Sequence, residues 1–177
     1  MASLDHFGPG ELNVIRTQLS DAESLVSHYY CIPGREWPMY PYEIKTLSEL
    51  GETEIDLNAL AMVAKYEYAL KKTRGQPRYQ EVYGICLQDH NILAATRRAC
   101  NPVTLDALML YILTHELVHV FRFASSLQPY LIEEEFREQE ESRVHRITNH
   151  ILRERQENSL QQVLDVFEDY PFGALER

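Results

Sequence analysis

The most informative run in this chain of 177 residues is Leu110-Tyr111-Ile112-Leu113-Thr114-His115-Glu116-Leu117-Val118-His119-Val120-Phe121. An α-helix turns once every 3.6 residues, so His115 and His119 lie on one helix face about 6 Å apart. The positions between and after the two histidines, 117, 118, 120 and 121, are all apolar. A chance match on a solvated helix would carry charges there, so the run predicts a helix buried in a core.

The polar residues of this run have the spacing of a catalytic zinc site. Two imidazoles four residues apart on a helix can bind one zinc ion, with zinc–nitrogen bonds of about 2.0–2.1 Å. Glu116 sits between them and can face a water molecule at the metal without binding the metal itself. We therefore predict that His115 and His119 are zinc ligands and that Glu116 is the general base.

A catalytic zinc site needs a third protein ligand. One large group of zinc peptidases places a glycine and a histidine shortly after the motif, but Arg122 and Ser125 occupy those positions here. The other common arrangement takes a glutamate from a later helix. Four residues in such a later helix are candidates for the third ligand: Glu138, Glu140, Glu141 and His145.

Helix periodicity narrows these candidates without choosing among them. The apolar residues of this later helix predict its buried face: Phe136, Val144, Ile147 and Ile151. Glu140 falls near the middle of that face and Glu141 on its flank, so periodicity leaves both open. His145 follows Glu141 by one turn. It is a candidate hydrogen-bond partner for a ligand, a group that stabilises the transition state, or a surface histidine.

The two helices resemble those of the short gluzincin metallopeptidases, most closely the ImmA/IrrE-type family. In that family, small or apolar residues follow the ligand glutamate at fixed offsets. With Glu141 as origin, those offsets fall on Val144, Ile147, Ile151 and Leu152. The resemblance covers residues 79–152 and implies Glu141 as the third ligand, a zincin-like fold and a peptidase activity. It departs from the family at Val144-His145, where an Ala-Asn pair is usual.

A peptidase of this kind needs a second electrophile to stabilise the transition state, and the candidates are Tyr130, His145, Tyr83 and Arg122. The resemblance also implies that an extended peptide or protein substrate pairs with a strand of a hairpin at 79–96. Three alternatives remain: a zinc-binding but non-catalytic regulatory or protein-interaction module, a zinc enzyme that hydrolyses something other than a peptide, and a structural helix whose histidines are plain core residues.

The helices and strands predicted along the chain indicate an α+β fold, and the resemblance implies that it is zincin-like. In it, a small mixed or antiparallel sheet packs on the active-site helix and on a second, glutamate-bearing helix. We predict one domain, with an N-terminal helical part (1–75) and a metallopeptidase core (76–177). The irregular segment 31–42 is expected to pack over a helix. The predicted helices are 11–30, 54–72, one capped by Thr104, about 130–156 and 160–167, and the predicted strands are 42–47, 79–87 and 92–96.

Composition argues for a cytoplasmic protein. The net charge of −10 is unfavourable for binding nucleic acid or an anionic membrane. The apolar stretches are expected to be too short for a membrane span, and no signal peptide is visible. The cysteines are few, odd in number and scattered, as is typical of a reducing compartment: Cys31, Cys86 and Cys100.

Overall fold

A computed structural model describes residues 4–33, 37–73, 76–98, 103–131 and 133–168. Within these ranges the protein is a mixed α+β fold with five helices and one three-stranded sheet. Along the chain its elements are α1 (Pro9–Tyr29), β1 (Tyr42–Lys45), β2 (Ala61–Thr73), β3 (Gln76–Leu87), α2 (Asp89–Thr96), α3 (Leu105–Ala124), α4 (Glu134–Arg153) and α5 (Asn158–Phe167).

The sheet has the strand order β1-β3-β2 and is mixed. β3 pairs with β1 in parallel, from Tyr42↔Tyr83 to Lys45↔Cys86. On its other side β3 pairs with β2 antiparallel, beginning at Ala61↔Leu87. β2 is therefore an edge strand, and both outer strands come from the N-terminal side of residue 75. The predicted division into two parts at that residue stays a prediction.

The prediction of a helix over 54–72 is wrong. A short 3-10 turn at Glu52–Glu54 is followed by β2, whose residues 61–70 form a continuous ladder with β3. Alanine, leucine and lysine in this segment favour a helix locally, but its tyrosines and Val63 suit a strand. Backbone pairing with β3 outweighs the local preference.

The prediction of a strand over 92–96, joined to 79–87 by a turn, is also wrong. Residues 89–96 form α2, which buries Ile92, Leu93 and Ala95. Asp89, predicted in the turn, is the acidic residue of the helix's first turn. Its carboxylate accepts hydrogen bonds from the backbone N–H groups of Phe7 and Leu47, both at 2.9 Å. A short apolar run does not distinguish a buried strand from a buried helix.

α3 is the central helix, as predicted. It begins after Thr104, whose side chain accepts a hydrogen bond from the backbone N–H of Ala107. Every residue from 107 to 122 is buried. α3 is long and apolar enough to cross a membrane, contrary to expectation, but 89% of its apolar window lies inside the protein. This is the burial expected for the core helix of a soluble protein.

Helices α1, α4 and α5 agree with the predicted 11–30, 130–156 and 160–167, although α4 is shorter. Phe136 does not belong to the buried face of α4, because it is 46% exposed near the helix start. Trp37 is buried and its indole donates a hydrogen bond to Ser27 Oγ on α1 at 2.9 Å. Trp37 thus packs over α1, as expected for segment 31–42, of which residues 34–36 lie outside the described ranges. Cys86 is buried, Cys31 is exposed, and Cys100 lies outside the described residues.

Candidate metal site

The structure brings together His115, His119 and Glu141, which we call the candidate metal site. The two imidazole rings come from one face of α3, with their centroids 5.0 Å apart. Glu141 reaches them from α4: its Oε2 lies 3.4 Å from His115 Nε2 and its Oε1 lies 3.2 Å from His119 Nε2. Both histidines are buried, whereas the Glu141 side chain is 37% exposed and opens the site on one side.

The geometry of these three donors fits a metal ion. One ligand atom from each residue lies within 4.8 Å of the other two. In a tetrahedral zinc site with bonds of about 2.0–2.1 Å, neighbouring donor atoms are about 3.3 Å apart. The nitrogen–oxygen separations of 3.4 and 3.2 Å, each to a different oxygen of Glu141, are close to that value. Two nitrogens and one carboxylate oxygen are also a donor set that zinc accepts.

Burial and mutual contacts shift the pKa values of the three candidate ligands. Burial lowers the pKa of His115 to about 4, so its imidazole is neutral near pH 7. Burial raises the pKa of Glu141, but its hydrogen bonds with His115 and His119 outweigh that effect and lower it. At His119 burial is outweighed by Glu141, which raises the pKa. A cation between the donors would repel the proton and reverse this last shift.

Glu116 is buried beside the candidate metal site, with only 3% of its surface exposed. Burial raises the pKa of its carboxyl group to about 8, with His119 lowering it and Glu141 raising it. A nearby cation would lower this pKa again. A carboxylate with a pKa tuned toward neutrality can accept and return a proton at physiological pH.

The structure separates the four candidates for the third ligand. Glu138 is exposed to solvent. Glu140 is 3% exposed and accepts two hydrogen bonds from Arg122, from Nε at 2.6 Å and from an NH2 group at 2.9 Å. His145 is bonded elsewhere, and Glu141 contacts both histidines of α3. Of the two glutamates that periodicity leaves open, Glu140 is thus paired with Arg122, and Glu141 is the one that lies beside the two histidines.

His145 contacts the site through Tyr111. Its Nδ1 lies 2.9 Å from the Tyr111 hydroxyl, and its Nε2 lies 3.1 Å from Asn149 Nδ2. The Tyr111 ring stacks on His115 at 6.3 Å and on Phe167 of α5 at 5.1 Å. His145 thus touches the ring that packs against a candidate ligand.

Phe123 and Tyr130 lie between the candidate metal site and the sheet, and we call these two rings the aromatic wall. The Phe123 ring stacks on His119 with a centroid distance of 5.5 Å, and Tyr130 meets Phe123 edge-on at 5.4 Å. The Tyr130 hydroxyl donates a hydrogen bond to the carbonyl of Val63 on β2 at 3.3 Å. The wall therefore connects the site to the edge strand.

Sequence analysis assigns no structural role to three residues that shape the site: Arg122, Tyr111 and Phe123. It predicts Arg122 as a candidate electrophile and not as the partner of Glu140. The position of Arg122 in a buried apolar helix was a signal that it needs an acidic partner, because a buried charge is rarely unpaired. Tyr111 and Phe123 each lie four residues from a motif histidine, which is the spacing of neighbours on one helix face.

Comparisons with models of known protein families, with curated proteins and with solved structures found no match to this chain. The resemblance to the ImmA/IrrE-type metallopeptidases therefore stays a prediction that rests on the residues quoted above.

Proposed function

We propose that this protein is a zinc-dependent metallopeptidase of the gluzincin type. The observation that carries the proposal is the convergence of His115, His119 and Glu141, with one donor atom from each within 4.8 Å of the others. The intact Glu116 beside them supports a catalytic role, because a purely structural zinc site has no use for a base at that position. The short sheet and the two ligand-bearing helices are compatible with a zincin-like fold.

Each residue has a defined task in the proposed reaction. A bound zinc ion would supply Lewis acidity, which lowers the pKa of a water molecule and polarises a peptide carbonyl. Glu116 accepts a proton from the attacking water and delivers it to the leaving amine. His115, His119 and Glu141 would hold the metal, and burial of both histidines keeps competing water away from them.

Tyr130 is the best-supported of the four candidate electrophiles. The other three are engaged or enclosed: Arg122 pairs with Glu140, His145 is bonded at both ring nitrogens, and Tyr83 is buried. Tyr130 is only partly buried, and its hydroxyl makes one long hydrogen bond to Val63. In the proposed reaction it turns from that carbonyl toward the developing negative charge.

The substrate strand is assigned to β2 rather than to a hairpin over 79–96. β3 lies in the middle of the sheet with partners on both sides, whereas β2 is at the edge next to the aromatic wall. An extended peptide can add to such an edge through backbone hydrogen bonds. We further propose a peptide or protein substrate, a cytoplasmic location, and no nucleic-acid or membrane partner.

Metal analysis and cleavage assays test the proposal together. The chain is purified without chelator or nickel resin, its zinc content is measured, and it is incubated with a peptide library whose products are identified by mass spectrometry. We expect near-stoichiometric zinc and cleavage that stops in Glu116→Gln. Bound zinc without cleavage of any library peptide or cytosolic protein would support the non-catalytic module instead. If the protein contains no metal and takes none up, both the peptidase function and the non-catalytic zinc module are rejected.

A further inference from the structure

Two neighbouring glutamates on α4 have different contact partners. Glu141 faces the two histidines, while Glu140 is enclosed with Arg122 in a two-bond ion pair at 2.6 and 2.9 Å. Successive residues of a helix point about 100° apart. The direction in which Glu140 is held therefore sets the direction in which Glu141 points.

The ion pair lies close to the candidate metal site along both helices. Arg122 comes one turn after His119 on α3, and Glu140 immediately precedes Glu141 on α4. A parallel pair of N–H···O bonds between a guanidinium and a carboxylate is directional, unlike an apolar contact. At the other end of the site, the Tyr111–His145 contact also joins α3 to α4, at 2.9 Å.

We propose that Glu140 is a positioning residue of the candidate metal site. Through Arg122 it holds α4 in the rotation that turns Glu141 toward His115 and His119. The inference rests on the proposed metal site, and it adds that two residues that do not bind the metal determine its third ligand.

The Arg122–Glu140 pair contributes more to the geometry of the candidate metal site than to the stability of the fold, for an energetic reason. Removing two charges from water carries a large energetic cost, and apolar residues of similar volume often stabilise a core equally well. Apolar side chains, however, would allow α4 to rotate or slide against α3 by small amounts. A third ligand tolerates little such movement, because zinc–oxygen bonds are about 2.0–2.2 Å long.

The experiment compares metal affinity with fold stability in the full chain. The double variant Arg122→Met/Glu140→Met removes the pair without leaving a buried charge. Glu138→Gln is the matched control, because it removes an exposed carboxylate from the same helix. Cobalt(II) alone is titrated into each metal-free protein, and its dissociation constant and visible absorption spectrum are recorded. The unfolding temperature of each metal-free protein is measured separately.

We expect the double variant to fold with an unfolding temperature near that of the wild type. Its cobalt affinity should fall by about 10–100-fold, the usual effect of losing a residue that orients a ligand. Its absorption spectrum should change, because the third ligand is displaced. Glu138→Gln should match the wild type in all three measurements.

Unchanged cobalt affinity and spectrum in the folded double variant would overturn the inference, whatever happens to the unfolding temperature. If the double variant does not fold, Arg122→Lys provides the same test, because it keeps the charge but loses the two parallel bonds. Weaker cobalt binding in that variant supports positioning, and unchanged binding opposes it. If the wild type binds neither cobalt nor zinc, the proposed function itself fails. That outcome differs from failure of the positioning inference, in which the wild type and the double variant bind cobalt equally well.

Discussion

The candidate metal site contrasts with a polar cluster on the sheet, which we call the sheet cluster: Lys45, Glu54 and Tyr66. In the sheet cluster the Tyr66 hydroxyl donates to Glu54, and Lys45 Nζ donates to the Tyr66 hydroxyl at 3.1 Å. Lys45 also lies 3.6 Å from Glu54 Oε1 and 4.2 Å from the centre of the Tyr66 ring. One positive and one negative charge cancel, and each group has its partner within the cluster.

The candidate metal site is unbalanced by comparison. It joins two imidazoles, which must be neutral to bind a metal, to one carboxylate, with the carboxyl group of Glu116 nearby. Its electron-pair donors lie within 4.8 Å of one another and, with both imidazoles neutral, carry the one negative charge of Glu141. A balanced cluster stabilises the fold, whereas converging donors with net negative charge suit a cation. The comparison teaches that an excess of electron-pair donors over positive charges, and not the presence of paired polar groups, distinguishes a candidate metal site from a structural cluster.

The largest expected effect is on metal content. His119→Ala or Glu141→Ala should lose zinc, because two donors cannot replace three, and the loss of affinity should exceed the roughly 100-fold typical of residues outside the ligand set. Tyr66→Phe, which disrupts the sheet cluster, should retain stoichiometric zinc. Elemental analysis of the three purified variants measures the difference. Zinc retained by Glu141→Ala would move the third ligand to another residue.

The next effect concerns the proposed reaction. Glu116→Gln should reduce peptide cleavage by about 10²–10⁴-fold, because an amide cannot accept the proton from water, while zinc content stays unchanged. Glu54→Gln makes the same chemical change in the sheet cluster and should leave the rate unaltered. Initial rates on a cleaved library peptide, measured at equal zinc occupancy, provide the comparison. Equal rates in Glu116→Gln and the wild type would remove Glu116 from the mechanism.

A smaller effect is expected on stability. A Cβ atom at Gly84 on β3 would overlap the Tyr66 ring, which the sheet cluster holds across the strand. Gly84→Ala should cost about 1–3 kcal/mol in the free energy of unfolding, as overpacking typically does, with little change in zinc affinity. Urea denaturation measures this cost.

Gly10 in α1 provides the control, because a Cβ there meets nothing within 4 Å. Gly10→Ala should be neutral or stabilising by up to about 1 kcal/mol. Equal effects at the two glycines would show that the Tyr66 ring adapts freely and that the sheet cluster is not rigid.

The smallest effect is a pH dependence. The hydrogen bond from Tyr66, followed by one from the Gly51 backbone, lowers the pKa of Glu54 below 4.5. Its contribution to stability is therefore full above pH 4.5 and is lost as the pH falls through the lowered value. Glu54→Gln should lose less stability on acidification in that range, by under about 1 kcal/mol. Urea titrations at several acidic pH values test this, and parallel curves for the two proteins would contradict it.

The sequence was most informative where one local pattern dominates. The apolar run around His115 correctly predicted the buried helix α3, and Thr104 correctly marked its start. The local pattern gave the wrong structure for β2, because it does not show that these helix-forming residues pair with the strand β3. It also failed for α2, because a five-residue apolar run suits either structure when buried.

Local sequence was sufficient to predict the α+β class and the proximity of the two histidines, because residues four apart on a helix share a face wherever that helix lies. The third donor could not be determined in this way. Glu140 and Glu141 are adjacent and chemically identical, and which of them meets the histidines depends on how α4 is rotated against α3. That rotation is set by contacts distant in sequence, above all the pairing of Arg122 with Glu140, so only the packed chain distinguishes the two carboxylates.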